Sequence, residues 1–255
     1  MTKKILFLIL LIFACLIVGF FLGKYSQTSE IFDLNALTDH LRKVNNEAPG
    51  TLPNFKVTSF IAPRNGEIIS WAKFDGFILE SFSKYLKNMN GFSHLTLGAS
   101  RLNADDLRYI KAQRSTLKML FLDSCSIEEQ AIPLLCDLNV RAFQLCDQKP
   151  SKKWLDVIAS MKELEELHLW HISDFRAYSQ MLTNLPNLKH LVLHDVPLAP
   201  EDMAMFKKMK KLETLSIDSE LATKPEFRGV TNANFDLIQV NANSQIPSFE
   251  SSMLY

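Results

Sequence analysis

A short apolar pattern recurs eight times along the chain at a nearly constant spacing. Each copy has the form apolar-x-x-apolar-x-apolar, and successive copies begin 23 to 25 residues apart, at Ile69, Phe92, Leu117, Val140, Leu164, Leu188, Leu212 and Phe235. A fixed period of this length is typical of solenoid proteins, in which each repeat packs only against its neighbours. The pattern therefore predicts a stacked repeat array over residues 69–243.

Each copy is predicted to contain one strand followed by one helix. Positions 4 and 6 of the pattern lie on the same face of a strand because side chains alternate along it. The residues after the strand show helical spacing, as in the segments that begin at Ala104 and Ser151. Ser173 and Asp174 are predicted to cap one such helix, and Pro200 suits the first turn of another. Stacked in parallel, these units predict an α/β solenoid with strands on its concave face and helices on its convex face.

The repeated segments resemble the leucine-rich repeat, whose pattern is L-x-x-L-x-L-x-x-N/C-x-L. One copy matches at every position, with Leu117, Leu120, Leu122, Cys125 and Ile127. The resemblance implies a leucine-rich-repeat solenoid that acts as a binding module, because the family has many binding roles and few catalytic ones. It also implies that the Asn or Cys side chain bonds backbone carbonyls in the turn after the strand. We expect irregular turns where that position holds another residue, as at Ser100, Gln148, Ile172 and Glu220.

An apolar segment near the N-terminus predicts a membrane anchor. Residues 5–22, from Ile5 to Leu22, are uncharged and almost wholly apolar, and as a helix they would span about 27 Å, close to the thickness of a bilayer core. Lys3 and Lys4 favour a cytoplasmic N-terminus and export of the remaining chain. Two alternatives stay open, a cleaved signal peptide and a lipoprotein signal at Cys15, although no A-x-A-like cleavage site follows the segment.

The domain organisation follows from these features. We predict a cytoplasmic segment at 1–4, a transmembrane signal anchor at 5–23, a linker at 24–30 and an N-terminal cap of the solenoid at 31–68. The solenoid is predicted at 69–243 and a tail at 244–255. The sequence lacks N-x-[ST] glycosylation motifs. We therefore expect a single-pass membrane protein whose C-terminal domain is exported, in a bacterial cell envelope.

Positions 3, 5 and 7 of each copy are predicted to lie on the concave sheet face. Large apolar side chains at Met119, Phe121 and Trp170 are unexpected on a solvated face, and such residues are enriched in binding hot spots. Four of the six histidines, including His94, also fall on this face. The predicted ligand-binding residues are Met119, Phe121, Asp123, Glu166, His168, Trp170, His190 and His194.

The histidines on adjacent strands allow three interpretations. With Glu166 they could form a metal site, they could form a contact patch that responds to protonation, or they could be ordinary strand-surface residues. We assign no metal from the sequence. Cys146 is expected to be an accessible thiol on the same face, and Cys125 a buried one. A disulfide between Cys125 and Cys136 stays open.

Catalytic motifs are missing from the sequence. It contains no G-x-S-x-G, H-E-x-x-H, G-x-G-x-x-G or P-loop pattern. Its 28 basic and 28 acidic residues balance, which argues against a nucleic-acid partner. We therefore predict no enzyme and no cofactor, but a membrane-anchored module that binds an unidentified protein or peptide. The alternative is a structural or assembly factor of a membrane complex that uses its convex helices or its N-terminal cap.

Overall fold

The computed structural model describes residues 54–61, 68–75, 91–149, 151–224 and 236–240. These residues belong to one compact unit, Leu34–Tyr255. The predicted anchor at 5–23, the linker and the C-terminal tail lie outside the described residues. Among the helices that the structure describes, none is long and apolar enough to cross a membrane.

A nine-stranded sheet organises the described chain. Strands β1 (Asn54–Ile61) and β2 (Ile68–Asp75) form an antiparallel pair at one edge, and every later neighbour is parallel. Two short strands, β4 (Arg101–Leu102) and β6 (Ser126–Ile127), pair separately. The sheet continues from β2 through β3 (His94–Gly98), β5 (Met119–Asp123), β7 (Ala142–Cys146), β8 (Glu166–Trp170), β9 (His190–His194), β10 (Thr214–Asp218) and β11 (Asp236–Val240).

From β3 onward, helical segments lie between successive parallel strands, and from Ala104 to Phe206 each segment contacts the next one along the chain. The copy that begins at Leu117 has only a short 3₁₀ helix, Ile132–Leu135. The α-helices are α1 (Ala104–Ala112), α2 (Lys152–Ser160), α3 (Arg176–Leu182), α4 (Pro200–Phe206) and α5 (Ser219–Ala222). A parallel sheet with one helical segment per repeat is an α/β arrangement of the leucine-rich-repeat type.

The helix starts follow the sequence with one exception. Ser151 caps α2, since its Oγ accepts a hydrogen bond from the Trp154 N–H at 3.3 Å, and Pro200 is the first residue of α4. The predicted caps Ser173 and Asp174 are wrong, because α3 begins at Arg176. The residue before it, Phe175, is buried against the Phe206 ring at 5.8 Å. No side-chain hydrogen bond caps the start of α3.

The strands pair position for position, which confirms the predicted period through the copy that begins at Leu212. Position 4 and position 6 side chains form continuous rows that are at most 1% exposed: Leu95, Leu97, Leu120, Leu122, Phe143, Leu145, Leu167, Leu169, Leu191, Leu193, Leu215 and Ile217. These rows are the core between sheet and helices. The predicted phase of the last copy is wrong by one residue, since Leu215 pairs with Leu237 and not with Ile238. In the observed register, positions 4 and 6 of this copy hold Leu237 and Gln239, so a polar residue stands where the pattern expects an apolar one.

The turns after the strands are more regular than the sequence predicts. The residue at position 8 has a left-handed backbone in five copies, with φ between 45° and 57°, at Ala99, Ser124, Asp147, His171 and Asp195. None is glycine, so each turn carries a strain that the stacked repeats must hold in place.

The position 9 side chains support these turns in different ways. Cys125 donates from Sγ to the Leu97 carbonyl at 3.2 Å, as the family resemblance implies. Gln148 donates from Nε2 to the Cys125 carbonyl at 2.6 Å, whereas Ile172 is fully buried. Turns of one backbone shape are therefore built with polar or apolar side chains.

Candidate ligand-binding face

The in-register strands align positions 3, 5 and 7 of successive copies on the sheet side away from the position 4 and position 6 rows. We call this side the helix-distal face. Met119 lies beside Ala142, which lies beside Glu166, and Trp170 lies between Cys146 and His194. All eight predicted ligand-binding residues lie on this face, and seven of them fall into two groups with different surroundings.

The first group is buried, which corrects the expectation of an exposed hot spot. Met119, Phe121 and Ala142 form an apolar cluster in which they are 5%, 6% and 5% exposed. The small Ala142 side chain lies between larger neighbours, and the Phe121 ring also contacts His168 at a centroid distance of 5.2 Å. These residues behave as a second core, so their loss should affect folding before it affects binding.

His94 belongs to the same buried half of the face. It is 8% exposed, and its Nδ1 bonds the Ser93 hydroxyl at 2.8 Å. Burial lowers the pKa of His94 from 6.5 to about 4, because the charged imidazolium would lose its hydration. His94 is therefore neutral at physiological pH and offers no charge to a ligand.

The second group is a patch on β8 and β9. We define the histidine patch as Glu166, His168, Trp170, His190 and His194. All except His168 are half-buried. Nε2 of His168 lies 2.5 Å from Oε1 of Glu166. Burial alone would raise the pKa of Glu166, but the hydrogen bond from His168 and the charges of His168 and His190 lower it below its usual value.

The other two histidines of the patch are held by residues on the next strand. Nδ1 of His190 lies 2.9 Å from Oγ1 of Thr214, and Nδ1 of His194 lies 2.7 Å from Oδ1 of Asp218. The histidines thus have separate partners and do not converge. Among the described residues, they form no metal-ligand cluster with Glu166.

Trp170 is the central side chain of the patch. Its ring centroid lies 6.2 Å from that of His168 and 5.9 Å from that of His194, in an edge-on arrangement with the latter. Nε1 of Trp170 and Nδ1 of His168 are buried without a hydrogen-bond partner in the described part of the protein. An unsatisfied buried polar group costs about 1–3 kcal/mol, so each of these two atoms would gain from a hydrogen bond to a ligand.

The cysteine expectations are partly corrected. Cys136 and Cys146 have reduced thiols and the Cys125 thiol donates a hydrogen bond to the Leu97 carbonyl, so no disulfide joins Cys125 and Cys136. Cys125 is buried as expected, but Cys146 is buried too and is not the accessible thiol. Burial raises the pKa of Cys146 to about 12, with further contributions from the charge of Asp123 and a hydrogen bond to Asp147. Asp123, the remaining predicted site residue, is half-buried beside this thiol.

The sequence analysis missed the residues at position 8. Ligand atoms of Cys146, Asp147 and His171 all lie within 4.8 Å of one another at the end of the strands. The available signal was the repeat itself, because position 8 of consecutive copies holds Asp147 and His171. It was missed because only positions 3, 5 and 7 were assigned to the binding face.

No protein-family model matches the chain, and no curated protein matches it either. Among solved structures, the chain is similar to an internalin, InlF, from Listeria monocytogenes. The sequences are 12% identical over 80% of this chain and 88% of that chain, with a TM-score of 0.23. A similarity at this level supports no conclusion about the fold or the function of this chain. The leucine-rich-repeat-like fold rests on the repeat geometry described above, and that fold suggests a protein-binding module.

Proposed function

We propose that this chain is a non-catalytic module that binds a protein or peptide through its helix-distal face, with the histidine patch as the contact region. The observation that carries the proposal is the pair of unsatisfied atoms, Trp170 Nε1 and His168 Nδ1, beside a half-buried indole. Tryptophan is enriched in binding hot spots, where a large ring combines apolar contact with one polar group.

The two unsatisfied atoms specify the chemistry of the ligand. Nε2 of His168 bonds the Glu166 carboxylate, which can only accept, so Nε2 carries a proton and Nδ1 is the ring atom left for a ligand. Trp170 Nε1 is a donor. A peptide unit offers an N–H and a C=O together, so it can form hydrogen bonds with both atoms. Both atoms are buried, so the proposal requires the side chains that cover them to move as the ligand enters.

The test uses peptide display on the full-length chain. Binders are selected from a random peptide library, and their affinities are measured for the parent, for Trp170→Ala and for Lys153→Ala on α2. We expect Trp170→Ala to weaken binding by about 2 kcal/mol, because a central aromatic anchor is lost. Lys153→Ala should bind as the parent does, and circular dichroism should show both variants folded. Equal binding by Trp170→Ala and the parent would reject the patch.

The alternative, an assembly factor, has one observation in its favour. A groove of about 270 Å³ lies between the segments that join α3 to β9 and α4 to β10. Its lining combines apolar side chains with lysines, namely Leu182, Thr183, Leu185, Pro186, Leu188, Lys208, Met209, Lys210 and Lys211. Peptides that lose affinity with Lys208→Ala and Lys211→Ala, but not with Trp170→Ala, would favour this second function.

We also propose that residues 5–22 hold the module on the exported side of a membrane. The apolar length of the segment and the preceding lysines support this placement. Full-length protein should resist carbonate extraction and keep its N-terminal residues. A soluble form that begins near residue 24–30 would instead indicate a cleaved signal.

A further inference from the structure

The turns after β7 and β8 bring a thiol, a carboxylate and an imidazole together. Cys146 is the last residue of β7, Asp147 follows it, and His171 occupies the equivalent place after β8. One ligand atom from each lies within 4.8 Å of the other two. We propose that these residues, the turn site, bind a divalent transition-metal ion such as Zn²⁺.

The backbone holds the turn site in place. Asp147 and His171 share a left-handed conformation, with φ of 57° and 52°. The Asp147 N–H donates to the Trp170 carbonyl at 3.1 Å, and the His171 N–H donates to the His194 carbonyl at 2.8 Å, so the ladder of the sheet continues through both residues. Their separation is therefore set by the strand spacing, which makes the site preorganised.

Side chains at position 8 of successive copies form a row of hydrogen bonds, and this row is interrupted between Asp147 and His171. Ser124 donates to Oδ2 of Asp147 at 2.7 Å, and Nδ1 of His171 lies 2.9 Å from Oδ2 of Asp195. In the described part of the chain, no hydrogen bond joins Asp147 to His171, although the two face the same space. An ion between them would complete the row.

The neighbours of the turn site resemble those that support metal ligands. The bond from Asp195 to Nδ1 of His171 leaves Nε2 as the nitrogen that can bind the ion. A ligating histidine commonly bonds a carboxylate through its other ring nitrogen, which fixes the orientation of the ring. Ser124 holds the Asp147 carboxylate in the same way.

The donor set selects the class of ion. A thiolate, an imidazole and a carboxylate suit Zn²⁺ and related transition ions, whereas Mg²⁺ and Ca²⁺ prefer oxygen ligands alone. On binding, the Cys146 S–H bond breaks, its proton passes to solvent and a sulfur–metal bond forms. Asp123 adds a carboxylate beside the thiol. Three protein ligands would leave a fourth position for water.

Cobalt titration of the full-length chain in mild detergent, with a reductant present, tests the proposal. Co²⁺ bound to a thiolate gives a charge-transfer absorption that reports Cys146 directly, and Zn²⁺ should displace it. Cys146→Ser should abolish the band, and Cys136→Ser is the matched control that should keep it. Asp195→Asn should weaken binding about 10-fold, because it removes the residue that orients His171.

Two results of the cobalt titration would contradict the metal-binding proposal. Absence of the band in the parent, or its survival in Cys146→Ser, would overturn the turn site. If Cys146→Ser does not fold, His171→Gln provides the test, because His171 is exposed and its replacement should not disturb folding. An unchanged Co²⁺ affinity in His171→Gln would reject the proposal. Trp170→Ala should still bind Co²⁺, so failure of the peptide-binding proposal would be recognised separately.

Discussion

The helix-distal face has two halves that share one backbone geometry and differ in chemistry. On β3, β5 and β7, positions 3 and 5 hold the buried His94 and the apolar cluster of Met119, Phe121 and Ala142. On β8 and β9, positions 3, 5 and 7 hold the histidine patch, which is half-buried except for His168. The repeat thus fixes where a side chain lies but not whether it is core or surface.

Ionisable residues behave differently in the two halves. In the buried half, loss of hydration lowers the pKa of His94 to about 4, so the ring stays neutral. In the histidine patch, Glu166 keeps its charge because His168 bonds it. A charged ligand should therefore be recognised by the second half only.

The two halves of the helix-distal face should differ in how much stability is lost when a position 5 side chain is truncated. Phe121→Ala, in the apolar cluster, should lower the free energy of unfolding by about 3 kcal/mol, because it removes a buried ring and leaves a cavity. Val192→Ala at position 5 of β9, which is half-buried, should cost about 1 kcal/mol or less. Urea unfolding measures both. Similar losses would show that the halves do not differ in burial.

Acid should destabilise the protein through His94. Its folded pKa of about 4 lies below the unfolded value of 6.5, so the unfolded chain binds the proton more readily. Stability should therefore fall as pH drops from 6.5 towards 4, by about 2 kcal/mol at pH 5 from this residue. His94→Gln should flatten the dependence. Phe121→Leu is the control, since it should lower stability at every pH and keep the slope.

The ion pair between Glu166 and His168 should contribute less to the free energy of unfolding than Phe121 or His94 does. Glu166→Gln removes the charge from the bond to His168, and we expect a loss of about 1 kcal/mol, since the Glu166 side chain is 23% exposed. The contribution should be present above the ordinary pKa of Glu166, 4.5, and vanish as pH falls through its lower folded pKa. A double-mutant cycle with His168→Gln measures the coupling. Zero coupling would make the patch a set of independent residues.

The candidate site was only partly predictable for a physical reason. Alternation along a strand assigns Phe121 and Trp170 to the same face, and both lie there. Burial of Phe121 depends on what packs beside it, including His168, which is 47 positions away in the sequence. Periodicity carries no information about such contacts, so the exposed anchor expected at Phe121 proved to be core.

The sequence by itself determined the repeat, the parallel strands and the interior rows, because apolar side chains at a fixed period can be buried together only by stacking. Leu167 and Leu191 illustrate this, since both are fully buried as the pattern requires. Only the tertiary structure decided the start of α3, the register of β11 and the meeting of Cys146, Asp147 and His171. These features depend on contacts between neighbouring repeats, and a pattern read within one repeat cannot contain them.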